Sequence, residues 1–412
     1  MITWIDLTDF MQWKGNLTGI QRIQYNMSKL YIESHDDVRF FVYQEQGRRF
    51  QQVDFNPDEI VKSGIITDEL SGVQASDYAN RLLKLATKIR RRALKSGYIT
   101  PNTPDDAVTP FGGHDTVLIM GGIWVGEFIN DLALAKAKQG FKLVHFAFDM
   151  VPSLFPGYVV DWLPDAFTEY QKVVFSISEG VIAISESTAK DVRDFIKTHK
   201  IKNAPAITVV RIGEEVDELT DAKHEKPVEG LAPGYLLSVS TIEARKNHLS
   251  LFYMLREANR RGIMLPKIVI VGRNGWHTDD FRYVVERDPV ARDGIIVIND
   301  ADDETLVWLY KNSLFTIFPS FYEGWGMPVA ESLAYGKLCL SSNVSSMPEI
   351  AGELIDYFSP YDTGKMLDVV VKYLDPSVLR AKESKIHDSF TPTSWRDMYE
   401  AVDSFVGRIA AQ

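Results

Sequence analysis

The sequence predicts an α/β protein built from two doubly wound, mostly parallel sheets, on three observations. Short apolar runs rich in β-branched residues recur along the chain without polar alternation, which places both faces of each strand in a core. Segments with a helical apolar period lie between them, giving the βαβα order of open parallel sheets. Midway, residues 217–234 (DELTDAKHEKPVEGLAPG) hold two prolines, two glycines and no apolar period, as a linker does. At 412 residues the chain exceeds one ordinary core. The expected domains are therefore 1–216 and 235–390, joined by 217–234 and followed by a C-terminal helix in 391–412.

Taken in order, the first-half strands are TWIDL, RFFVYQ, DTVLIMG, KLVHFAF, GVIAIS and AITVVRI. The second-half strands are YLLSVS, KIVIVG, GIIVIND, LFTIFPS and KLCLSS. DLALAKAKQ, STAKDVRDFIKTH, HLSLFYMLREANRRG and DETLVWLYKN read as helices between strands. The last helix, SWRDMYEAVDSFVGRIA, carries an apolar stripe of Trp395, Met398, Val402, Phe405 and Ile409. That stripe must pack on something, and the sequence does not say on which domain.

Composition narrows the function. A net charge of −11 disfavours nucleic-acid binding, which needs a basic surface. The single cysteine, Cys339, cannot form an internal disulfide and reads as a buried small hydrophobe in a reducing compartment. MITWIDLTDF lacks the basic and apolar regions of a signal peptide, and no apolar run approaches a membrane span. The expectation is a cytoplasmic protein. Residues 80–97 (NRLLKLATKIRRRALKSG) read as a helix with Lys84, Lys88, Arg90, Arg91, Arg92 and Lys95 around a ragged apolar stripe. Two readings stand: a peripheral contact with anionic lipid headgroups, or the solvated face of a packed helix.

The stretch PSFYEGWGMPVAESLAYG (319–336) carries the chemistry. A strand over 314–319 ends in proline, and Gly324 and Gly326 make a loop of the residues after it. Pro328 suits a first helical position and Gly336 a helix end, which predicts a helix over 328–335 with Glu331 in its first turn. This is a strand–loop–helix at the carboxyl end of a strand, where α/β sheets bind ligands. The helix start offers free N–H groups to an anion. The glycines let a ligand approach the backbone. Glu323 and Glu331 can accept hydrogen bonds from hydroxyls. An anion plus hydroxyls suggests a nucleotide sugar. Two other readings are a glycosidase dyad of flanking carboxylates and a Glu331 that only complements a helix dipole.

Residues 314–352 closely resemble the retaining family 4 glycosyltransferases of the GT-B fold, whose setting is PSxxEGxGxPxxEAxAxG, with Ser332 here in place of the usual Ala. LSVSTIEARKNHLSLF (237–252) resembles that family's strand–loop–helix with an Arg-Lys-Asn turn, and IVGRNGW (270–276) its nucleotide-base loop. LTGIQRIQ (17–24) resembles the glycine loop after the first strand, and GVIAISESTAKDV (180–192) and RIGEEVD (211–217) the end of the first domain. The resemblance implies two Rossmann-like domains facing a cleft, and transfer of a hexose with retention from a nucleotide diphosphate sugar to a hydroxyl. It implies Glu323, Lys246, Arg245 and Asp149 as catalytic residues. Gly19, Trp276, Gly324, Gly326, Met327 and Glu331 would join Arg245, Lys246 and Glu323 in binding the donor. No cofactor beyond the co-substrate and no metal is expected, because Arg245 and Lys246 can stabilise the leaving diphosphate. The motif DAD (300–302) reads instead as a helix cap.

RNGW, with Trp276, is similar to bacterial enzymes that take GDP-mannose in O-antigen or exopolysaccharide assembly, so the implied acceptor is a growing lipid-linked glycan. UDP- and dTDP-sugar donors, a nucleotide-sugar epimerase, a glycogen- or sucrose-type synthase and a non-catalytic sugar-binding subunit stay open. One departure favours the last. Where many relatives carry His-Asp, this chain has Phe148-Asp149, and His145 lies three residues earlier on the opposite face of a strand.

Overall fold

The computed structural model describes residues 1–12, 19–56, 109–124, 126–215 and 225–412. The basic stretch 80–97 lies outside the described residues, as does 217–224 of the expected linker. The chain divides into two compact units, Met1–Phe141 and Lys142–Gln412.

In the first unit, β1 (Thr3–Asp6), β2 (Val38–Gln44), β3 (Arg49–Val53) and β4 (Thr116–Ile119) lie in the order β3-β2-β1-β4. β1 pairs in parallel with β2 and β4, while β3 turns back antiparallel to β2. β3 is absent from the expected strands because RFQQV is mostly polar and exposed, with Phe50 its one buried side chain. A second correction concerns the expected glycine loop. From Gly19 the chain is already helical, over Gly19–Ser34, because Ile23, Met27 and Leu30 recur at helical spacing. Gln21, Gln24, Asn26 and Ser28 are buried on that helix, which masks its apolar period.

At the carboxyl end of β1, Asp6 is fully buried. Its Oδ1 accepts the Thr8 N–H at 2.9 Å, while Oδ2 has no hydrogen-bond partner among the described residues. Burial pushes its carboxyl up to about 7, against the opposing Thr8 hydrogen bonds. A raised folded-state pKa means stability present at low pH that is lost as pH rises through about 7. Asp6→Asn keeps the oxygen that Thr8 uses and removes this loss. Its melting temperature should therefore rise relative to wild type between pH 4 and pH 8, by an equivalent of roughly 4 kcal/mol over the full span. Parallel melting curves would reject the assignment.

The second unit holds β5 (Lys142–Ala147), β6 (Gly180–Ala183) and β7 (Ala206–Val209), all parallel. It also holds a six-stranded parallel sheet: β8 (Tyr235–Val239), β9 (Ile268–Val271), β10 (Ile295–Ile298), β11 (Ser313–Phe318), β12 (Cys339–Ser342) and β13 (Tyr357–Phe358), in the order β10-β9-β8-β11-β12-β13. Two Rossmann-like α/β sheets are thus present, as the periodicity predicts. The order of the second reverses between β8 and β11, and a ligand crevice forms outside the carboxyl ends of strands at such a switch point. Cys339 is buried in β12.

The last helix, Trp395–Ala410, opens with a capping box of Ser394 and Asp397. Its stripe packs on the strands of the first half. Phe405 and Ile409 sit against Gly180 of β6, and Trp395 sits against Gly213. Glu214, beneath it, accepts from the Trp325 indole N–H and the Thr393 N–H, both at 3.1 Å. Among the described residues no helix is long and apolar enough to cross a membrane.

Candidate active site

The switch point places two loops side by side. After β8 the chain forms a 3-10 turn, Ala244–Lys246, which ends at Asn247 in a left-handed conformation with φ 60°. The Asn247 side-chain amide donates to the carbonyls of Pro319 and Pro360, both at 3.0 Å. The turn is thereby fastened to the loop after β11. The Phe321 N–H completes the link by donating to the Arg245 carbonyl at 2.9 Å. Asparagine suits this position because it tolerates positive φ and carries two donors. The loop after β9 joins as well, since the Ala244 N–H donates to the Trp276 carbonyl and the Gly275 N–H to that of Ile242.

Three charges meet between these loops. Glu323 Oε1 accepts from Lys246 Nζ at 2.7 Å, and its Oε2 pairs with Arg245 Nη1 at 2.8 Å. The side chains of Arg245, Lys246 and Glu323 are only 16%, 13% and 8% exposed. Arg245 also pairs with Glu243 at 2.6 Å and donates to the Tyr322 carbonyl. Burial alone would raise the Glu323 carboxyl, but the Arg245 and Lys246 charges outweigh it and hold it down to about 2. Burial lowers the Lys246 ammonium, against the attraction of Glu323. The cluster is a cationic pair bridged by Glu323, with Glu243 a second partner of Arg245, at the end of two central strands.

Gly324 shows why the loop reads as it does. A Cβ there would lie 1.9 Å from the Phe148 carbonyl oxygen and 3.0 Å from the Asp149 Cβ. The backbone at 148–149 therefore lies on the Glu323 loop, which brings Asp149 to the cluster. Asp149 is half-buried and its Oδ1 accepts the Val151 N–H at 2.9 Å. Burial raises its carboxyl while Arg245 opposes the shift. Gly326 caps the next helix at φ 127°, a conformation that side-chain-bearing residues rarely adopt.

The helix runs Met327–Ala334, one residue earlier than expected. Glu331 is therefore its fifth residue, in the second turn and not the first. Its Oε2 accepts the Tyr310 hydroxyl at 2.8 Å in a buried pair. The structure thus brings Glu323, Arg245, Lys246, Gly324 and Asp149 together. Glu331 sits deeper on the same helix, whose first residue, Met327, is half-buried. Trp276 has an exposed ring and enters by its backbone, while Gly19 opens its helix in the first unit, with nothing among the described residues within 4 Å of where a Cβ would lie.

His145 is buried between Tyr170 and Phe175, and burial drives its pKa down to about 3. Phe148 stacks on Phe146 instead. Asp302 caps the helix Asp303–Asn312 by accepting from the Thr305 N–H. Several supporting residues escape a reading by motif. The Tyr322 hydroxyl donates to Asp191, and Glu349 accepts from the N–H groups of Glu186 and Ser187 at the start of the helix Glu186–Thr198. The trailing SSMPEI segment, 345–350, signals this only in part, because the partners lie over 130 residues apart.

Comparison with known proteins agrees with this geometry. Residues 220–364 match the family described as "Glycosyl transferases group 1". It is 31% identical over 169 residues to O-antigen chain mannosyltransferase B of Escherichia coli, covering 41% of this chain and 40% of that protein. It is 26% identical over 337 residues to the serotype-specific mannosyltransferase WbdA of Escherichia coli, covering 75% of this chain and 39% of that protein. The chain thus spans about two fifths of the length of these relatives. Among solved structures it resembles a sucrose-phosphate synthase from Thermosynechococcus elongatus, with TM-score 0.65 and 14% identity over 100% of this chain and 99% of that one. It also resembles Anabaena HepE in complex with UDP and glucose, with TM-score 0.61 and 13% identity over 99% and 100%. These two likenesses establish the GT-B fold.

Proposed function

Starting from a glycosyl transferases group 1 domain at residues 220–364, we propose that the chain is a retaining transferase that moves mannose from GDP-mannose to a hydroxyl of a growing, lipid-linked bacterial glycan. The observation that carries the reading is the Arg245–Lys246–Glu323 cluster at the switch point of that domain. Mannose rests on the two Escherichia coli relatives, and the GDP donor on the RNGW loop ending at Trp276. Peripheral contact of the protein with an anionic membrane that carries the acceptor would fall to the basic stretch 80–97.

In this reading the diphosphate takes Arg245 and Lys246 as partners, which frees Glu323 to accept the hexose hydroxyls. Glu331 and Tyr310 lie on the side of the ribose. The acceptor oxygen bonds to the anomeric carbon on the face that the nucleotide leaves. The bond from that carbon to the phosphate oxygen breaks, and the departing phosphate takes the acceptor's proton. The negative charge that grows on the diphosphate faces two fixed cations in a half-dry site, so no metal is required. Asp149, which feels the charge of Arg245, would hold a hydroxyl of the sugars.

The test is thermal stabilisation against GDP, UDP, dTDP and ADP and their sugars, since a ligand that binds only the folded state raises the melting point. GDP and GDP-mannose should give the shift. Lys246→Ala should abolish it and cut turnover roughly 10²–10³-fold. A shift with UDP or dTDP alone would replace the donor. No shift with any nucleotide would favour the non-catalytic subunit, the reading that Phe148 in the usual histidine place supports.

A further inference from the structure

A cavity of about 360 Å³ lies beside the charge cluster and does not include it. Its wall is the outer side of the turn that carries Arg245 and Lys246: Glu243, Ala244 and Asn247 line it, and the two cations do not. An aromatic ladder forms one side. Tyr158 and Phe321 stack with ring centres 5.6 Å apart and planes 5° from parallel. Phe321 meets Tyr361 at 5.1 Å and 30°. Tyr361 is 74% exposed and Tyr253 is 50% exposed, so both rings stand at the mouth.

The polar groups have a definite sign. Glu243 and Asp280 line the cavity, and among the described residues no lysine or arginine does. Such a lining repels phosphate and suits hydroxyl donors. Deeper in, His248 is 2% exposed. Its Nε2 pairs with the Ser240 hydroxyl at 3.1 Å, while Nδ1 has no hydrogen-bond partner among the described residues. A buried ring nitrogen left unpaired is costly, and a ligand hydroxyl would satisfy it. Burial, with Lys246 adding to it, holds the His248 pKa down to about 3, so the ring is neutral and offers one donor and one acceptor.

We propose that this cavity is a glycan subsite that takes one neutral hexose unit of the acceptor chain, at a distance from the sugar being added. The inference rests on the transferase reading above. Pyranose rings present a C–H face that packs on aromatic rings and an edge of hydroxyls that need partners. Tyr361, Phe321 and Tyr158 supply the first, and His248, Glu243 and Asp280 the second. The volume is at the low end of ligand pockets, about 300–1,000 Å³, which suits a sugar unit and not a whole nucleotide sugar. Because Glu243 both lines the cavity and pairs with Arg245, the subsite shares a wall with the donor cluster. A chain seated here stays bound while its end is extended.

The experiment is calorimetric titration of the full chain with an α-linked mannotriose, with the GDP-mannose thermal shift measured on the same preparation. Wild type should bind the trisaccharide. Tyr361→Ala should weaken it roughly tenfold and Tyr361→Phe should not, because the stacking ring and not its hydroxyl is at stake. Tyr361 is exposed, so its truncation leaves the fold in place. No binding by wild type, or unchanged binding by Tyr361→Ala, overturns the subsite. A nucleotide shift without trisaccharide binding keeps the transferase reading and removes the subsite. Trisaccharide binding without any nucleotide shift does the reverse.

Discussion

Glu323→Ala should lower turnover at least about a hundredfold and also cost about 3 kcal/mol of stability. The sequence alone suggests that only activity would suffer, because a donor-binding carboxylate on a loop is dispensable to a fold. The geometry says otherwise. Glu323 is the partner of two largely buried cations. Arg245 would keep Glu243 and the Tyr322 carbonyl. Among the described residues, Lys246 would keep the ring of Phe318, at 5.3 Å, and the unbonded charge of Glu243. Removing one member of a buried ion pair leaves an uncompensated charge, whereas removing both members is far milder. Melting should therefore fall by roughly 5–10 °C in Glu323→Ala. Most of that loss should return in the double variant Glu323→Ala with Lys246→Met, while turnover stays low in both. Such non-additivity in stability, measured by a double-mutant cycle, separates the ion pair from the donor site. A stable and active Glu323→Ala would sink the assignment of all three residues.

Gly324→Ala should have a comparable effect on turnover by a different route. The added methyl would meet the Phe148 carbonyl oxygen at 1.9 Å. That oxygen is backbone, so no flexible side chain can swing aside to relieve the contact. An ordinary C···O contact needs about 3.3 Å, so the two segments must separate by more than about 1 Å. Asp149 and Glu323 flank this contact and would separate with it. A misplacement of about 1 Å in a positioned site is worth about a hundredfold in rate. The overpacking itself should cost about 1–3 kcal/mol, so the variant should fold and still bind nucleotide through Lys246. Wild-type turnover in Gly324→Ala would mean that the approach of the 148–149 backbone is irrelevant to the chemistry.

How far the chain could be read from residues alone depends on where each signal lies. The strands were legible because parallel strands buried on both faces are continuous apolar runs. The Glu323 loop and the Arg-Lys-Asn turn were legible because glycine, proline and asparagine at fixed spacing constrain the backbone locally. β3 was hidden by its polarity, and the helix Gly19–Ser34 by four buried polar side chains. The depth of Glu331 was hidden because its partner, Tyr310, belongs to another helix 21 residues earlier. The aromatic cavity was the least legible part. Tyr158, Phe321 and Tyr361 come from three distant segments, and no local period joins them.

The packing of the last helix on β5 and β6 has a consequence for how the chain is made. A ribosome delivers Gly180 and Gly213 long before Trp395 and Phe405, which cover them. At about 5–20 residues per second the interval is roughly 10–40 s. Through it, the apolar surface that the helix will close stays open to water. This helix, made long after the strands it covers, is thus the latch of the second unit, and nascent chains that stop short of it are the species most exposed to aggregation and to chaperones.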